Sequence, residues 1–149
     1  PYTRTRDSLR EMVKLAGDLP VSIEPHMDSM AQSPEQALKL VQDVPGLKLT
    51  LDWAQMVYQD IRHDAIVELL THTRHIQMRQ AARAQLQTPF KRGRIKIDRV
   101  MNALDQAGYD GAICVEYMKT SGWHGIIEVN NIKETALMRD ALRDARDTF

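Results

Sequence analysis

Pro45-Gly46-Leu47-Lys48-Leu49-Thr50-Leu51-Asp52 reads as a turn, a strand and an acidic end. Pro-Gly stops a preceding helix. Leu47, Leu49 and Leu51 alternate with Lys48 and Thr50 at the two-residue period of a strand, and Asp52 closes the run. Three other short runs deliver a metal-binding type of side chain in the same way: Val21-Ser22-Ile23-Glu24, Arg74-His75-Ile76-Gln77 and Ala112-Ile113-Cys114-Val115-Glu116. Helical patterns separate all four.

Those patterns are explicit. Leu9, Met12, Val13 and Ala16 recur at helical spacing over about 5–16, with Gly17 as a stop. The first strand is expected over about 21–25. Ser33-Pro34-Glu35-Gln36 reads as an N-cap, a proline at the first helical position and a capping-box glutamine. A short helical or irregular piece follows Trp53, Asp64 is expected to cap a helix carrying Ile66 and Leu69, and the third strand covers about 73–79. The polar segment 80–96 exceeds an ordinary connection, so it reads as functional or mobile. Ile97, Val100, Met101 and Leu104 mark the next helix and Ile132 to Leu142 the last. Strands alternating with helices give an α/β fold with a parallel sheet and right-handed crossovers.

Four such units form one domain over 1–149 and amount to half of a (βα)8 barrel, which usually takes about 250 residues. Four strands bent toward closure leave two unpaired edges and expose an apolar side of the barrel core. The chain is therefore expected to need the other half of a barrel, from a longer chain, a second copy or another protein, the first being favoured.

Twenty basic residues balance twenty acidic ones, which excludes an overall field drawing the protein to nucleic acid or an anionic membrane. The single cysteine, Cys114, excludes an intrachain disulfide and is read as a small buried apolar group. No apolar stretch approaches the roughly 18 residues of a membrane span and no signal peptide opens the sequence, so the expected location is cytoplasmic.

Alternation assigns faces. His75, Gln77 and Arg79 share one face of their strand, Thr50 pairs with Asp52, Cys114 with Glu116, and Glu24 with His26 if the extended path continues. In a parallel barrel these faces meet at the C-terminal mouth. Three carboxylates and an imidazole converging there repel one another unless a cation sits among them, so Glu24, Asp52, His75 and Glu116 are expected to hold one divalent ion.

The succession Glu24-Pro25-His26, Pro45 to Asp52, His75-Ile76-Gln77-Met78-Arg79 and Gly108-Tyr109-Asp110-Gly111 leading into Val115-Glu116-Tyr117 resembles the C-terminal half of the xylose isomerase-like TIM-barrel superfamily, in its sugar phosphate isomerase/epimerase branch. The resemblance spans about 9–143. It implies Mn²⁺, Mg²⁺ or Co²⁺ on Glu24, Asp52, His75 and Glu116, with Glu24 and Glu116 also carrying protons. The substrate it implies is a keto sugar, sugar phosphate or cyclitol whose carbonyl the metal chelates. His26, Gln55, Gln77 and Arg79 are expected to bind that substrate, the alternatives being a hydrogen-bonded rim histidine for His26 and pairing with an acidic ligand for Arg79. Many relatives have histidine where Gln55 stands, three residues after the aspartate; an amide can bond a hydroxyl but carries no proton near neutral pH. Two other readings remain: a lyase of the same family, such as a cyclitol or dehydroshikimate dehydratase or a C-glycoside-cleaving enzyme, and a non-catalytic half-barrel subunit. A DNA-repair endonuclease on this fold is disfavoured by zero net charge and few strand-end histidines.

Overall fold

A computed structural model of the protein describes residues 1–148. The chain runs α1 (Tyr2–Ala16), β1 (Val21–Ile23), α2 (Pro34–Asp43), β2 (Leu47–Asp52), α3 (Trp53–Tyr58), α4 (His63–Val67), β3 (Thr73–Met78), α5 (Ile97–Gln106), β4 (Ala112–Val115) and α6 (Asn131–Arg146). The strands form one sheet in sequence order with every pair parallel, the arrangement expected of a partial barrel.

The helix signals act as the sequence implies. Ser33 Oγ accepts from the Gln36 amide at 3.3 Å, and Gln36 Oε1 accepts from the Ser33 amide at 3.2 Å. Pro34 sits at the first helical position, where a missing N–H costs nothing. Two expectations change. Asp64 lies inside the first turn of α4, where Arg62 holds the capping position, and its carboxylate pairs with Arg62 and Arg99. The first and third strands stop before Glu24 and Arg79, so both functional candidates stand on the turns just past the sheet.

One face of the sheet is the core. Leu47, Leu49, Leu51, Ile76 and Met78 are buried against Ala37, Leu40, Val41, Val100 and Leu104 of the helices. Burying each large apolar side chain stabilises by about 1.5–3 kcal/mol. The opposite face differs from expectation. It carries Ser22, Lys48 and Cys114 exposed and Thr50, His75 and Gln77 half-buried, so Cys114 is open rather than buried and the bare side of the sheet is mostly polar. Exposed large apolar side chains lie instead off the sheet, at Met12 and Leu15 of α1, Leu19 just beyond it, Met30, Trp123 and Ile132.

β1 and β4 each keep an unpaired edge. Exposed edges template pairing with another chain. Sedimentation of the 149-residue chain by itself is expected to show concentration-dependent self-association, and a compact monomer that unfolds cooperatively would remove the need for a second half.

Candidate active site

The C-terminal ends of the strands converge on an acid cluster built around Arg79. Asp52, the last residue of β2, is fully buried and is also the N-cap of α3: its Oδ1 accepts from the Ala54 amide at 2.9 Å. Arg79 stands one residue past β3 with its side chain 2% exposed. Its Nη2 donates to Asp52 Oδ2 at 2.6 Å, and its Nη1 donates to Glu116 Oε2 at 2.6 Å and to the Glu116 carbonyl at 3.1 Å. Its Nε donates to the Leu86 carbonyl at 3.3 Å. The guanidinium is thereby clamped between two carboxylates and two backbone carbonyls.

The segment 80–96 supplies part of that clamp. It is structured rather than loose: the Gln80 amide side chain bonds both the N–H and C=O side of Ile95 and Leu86, Gln87 and Thr88 are buried. Gln87 in turn holds the loop after β4, accepting from the Met118 amide at 2.7 Å and donating to the Met118 and Ile127 carbonyls. In the basic stretch within it, Arg94 reaches Asp60 at 3.3 Å, while Lys91, Arg92 and Lys96 stay exposed as a solvated loop would have them.

Electrostatics singles out two acids. Burial pushes the Asp52 carboxyl up to about 7 against the pull of Arg79, and Glu116 and Glu24 add to the rise. The half-buried Glu24 is also raised, by burial first and then by Glu116, with His26, Arg79 and the Gln55 amide acting the other way. Glu24 has no ion-pair partner within 4 Å among the described residues. A carboxylate in that state is a better proton acceptor than a free one.

The remaining candidates fall into two groups. Gln77 lies level with Asp52 in the β2–β3 register, and its buried Oε1 has no hydrogen-bond partner, leaving an acceptor for a ligand donor. Gln55 is buried, with Oε1 at 3.4 Å from the Met27 amide. His26 Nδ1 donates to the Met27 carbonyl at 2.7 Å, and its ring lies 6.0 Å from that of Trp123. His75, by contrast, pairs with Thr50 and Ala112, a full side-chain repeat before Gln77. It lines the open groove near the N-terminal half of the sheet with Ser22, Lys48 and Thr50. His124, which sequence alone aligns with no strand end, joins the mouth: it sits 3.1 Å from the Tyr58 hydroxyl, and its carbonyl accepts from the Leu86 amide. Its left-handed backbone (φ 47°) is uncommon for a residue with a side chain. No sequence pattern marks that position.

The sheet is that of a parallel half-barrel with acids gathered at its strand ends. The family model for the xylose isomerase-like TIM barrel matches residues 2–144, and the chain belongs to that family. Among solved structures, D-psicose 3-epimerase from Clostridium cellulolyticum H10 is 20% identical with a TM-score of 0.63, aligned over 99% of this chain and 54% of its own. A xylose isomerase domain protein from Planctomyces limnophilus is 17% identical with a TM-score of 0.76, over 99% and 52%. A probable 3-DHS dehydratase from Bacillus anthracis is 15% identical with a TM-score of 0.67, over 90% and 55%. The chain thus spans about half the length of the solved structures it matches. No curated protein matches its sequence.

The divalent ion implied by the resemblance does not fit the residues as they stand. Asp52 spends one oxygen on the α3 amide and the other on Arg79, and Glu116 is ion-paired with the same guanidinium. His75 lies below them on its strand. Among the described residues no three His, Cys, Asp or Glu side chains are grouped so as to hold a metal ion. Of the four expected ligands it is His75 that stands apart from Glu24, Asp52 and Glu116, because alternation fixes its face but strand register sets its height.

Proposed function

We propose that this chain forms half of the active site of an isomerase or epimerase that moves a proton at the carbon next to the carbonyl of a keto sugar, sugar phosphate or cyclitol. The observation carrying this reading is Glu24, a half-buried carboxyl raised by its surroundings and lacking an ion-pair partner, beside Glu116 and Arg79. Glu24 takes the proton and can return it, and Glu116, once it has taken a proton from solvent, is the second carboxyl able to deliver one. The fixed charge of Arg79 opposes negative charge developing on the substrate oxygen. Gln77, with its unpaired amide oxygen, and Gln55 and His26 at the rim orient hydroxyls.

The test is incubation of the intact protein in D₂O with a panel of keto sugars and cyclitols. Deuterium at the carbon beside the carbonyl, with an epimer or isomer as product, is the expected result. A dehydrated product would assign the lyase reading, to which the dehydratase neighbour lends a precedent in fold. Neither exchange nor turnover on the panel would favour a non-catalytic half-barrel subunit.

A further inference from the structure

Metal-dependent barrels solve the repulsion among convergent carboxylates with a bound ion. Here the same problem has a covalently attached answer. We propose that Arg79 occupies the position of the cation, so that the acid cluster of this protein works with a built-in guanidinium and binds no divalent metal.

Four independent features support the assignment. The arginine touches both Asp52 and Glu116 at 2.6 Å, so its charge lies between the two acids that a metal would bridge. It is held there by the carbonyls of Leu86 and Glu116, one from the 80–96 segment and one from the end of β4, which fix the fork without help from the carboxylates. The side chain is 2% exposed, which a mobile surface arginine is not. Finally, the residue level with Asp52 on the neighbouring strand is Gln77, whose neutral amide is a poor metal ligand beside an imidazole or carboxylate, while the only histidine on β3 lies a side-chain repeat away.

The substitution has a chemical consequence. A guanidinium has five N–H donors. The contacts to Leu86, the two Glu116 oxygens and Asp52 use four of them, so one Nη2 N–H is left for a ligand oxygen. A divalent ion with open positions chelates two adjacent oxygens. This site instead offers one charged donor, backed by the unpaired Gln77 oxygen as an acceptor. It suits a substrate that presents one carbonyl or oxyanion next to a hydroxyl donor, with no requirement that two oxygens share a metal.

The experiment reads metal binding directly and does not depend on the isomerase reading. The intact protein is stripped with chelator, dialysed and titrated with Mn²⁺ while free Mn²⁺ is followed by electron paramagnetic resonance. Wild type is expected to show no saturable site tighter than about 1 mM. Arg79→His, which replaces the cation by a ligand among three acids, is expected to acquire one Mn²⁺ site that is lost again when Glu116→Gln is added. Arg79→Lys, which keeps the charge, is expected to stay without metal. Circular dichroism checks the fold of each variant, and Arg79→Ala takes the place of Arg79→His if the latter does not fold. Wild-type binding of one Mn²⁺ at micromolar affinity, abolished by Glu116→Gln, overturns the proposal. So does failure of the folded arginine-free variant to gain a site, since the arginine would then not be what keeps the ion out. Absence of proton exchange on every sugar tested would overturn the isomerase reading and leave the metal result standing.

Discussion

Arg79→Met should lower the unfolding free energy of the intact protein by about 3–5 kcal/mol, the usual cost of removing one partner from a buried ion pair. The arginine compensates a carboxylate that is 0% exposed, and a methionine fills much of the space while leaving Asp52 and Glu116 facing each other without a cation. Exposed pairs set the scale for comparison. Arg62 and Asp64, 85% and 65% exposed, meet at 3.3 Å, and Arg62→Ala should cost no more than about 1 kcal/mol. Urea denaturation of both variants measures the contrast. If the two losses are alike, the Arg79 cluster is not a stabilising element.

The same variant carries a pH signature whose sign follows from burial. A folded-state carboxyl raised from 3.8 to about 7 contributes stability that is fully present below the unfolded value and is lost as pH rises through the folded one. Arg79 is the charge that opposes this loss. Without it the decline on raising pH becomes steeper, so the deficit of Arg79→Met relative to wild type should be larger at pH 8 than at pH 4. Urea midpoints at the two pH values check it, and a deficit independent of pH would trace the loss to packing rather than to Asp52.

Much of this molecule was legible from residue order. Leu47, Leu49 and Leu51 against Lys48 and Thr50 announce a strand with one buried face, and the structure buries the three leucines and leaves Lys48 in water. Ser33 to Gln36 specify a helix start through local hydrogen bonds that need no tertiary context. What escaped depends on pieces distant in sequence. Thr50 lies level with His75 only because the β2–β3 register shifts between Leu49 and Thr50, an irregularity that no period-two pattern records. Alternation places Arg79 on the mouth side and leaves open whether it meets the substrate or an acid. That it bridges two acids depends on Leu86 and Glu116, 7 and 37 residues away. Cys114 is a different case: alternation gives its face, but burial of that face requires strands beyond the four present here.

Glu24→Gln is expected to separate activity from stability. The glutamate holds its raised carboxyl in a half-buried position near Glu116 and Asp52, so its ionisation costs stability as pH rises through its folded-state value. A neutral amide of the same shape removes that repulsion, and the variant should be at least as stable as wild type at neutral pH. The amide cannot accept the substrate proton, so on any substrate the protein turns over, the rate should fall by about 10²–10⁴-fold. Arg79→Met differs in carrying a large loss of stability. Functional sites hold such unfavourable charges because the chemistry uses them, and relieving the strain stabilises at the expense of turnover. Steady-state rates measured beside urea midpoints decide between the roles. Retained turnover makes Glu24 a bystander, whereas a stability loss comparable to that of Arg79→Met makes it a structural acid, and either outcome removes it as the proton-transferring group.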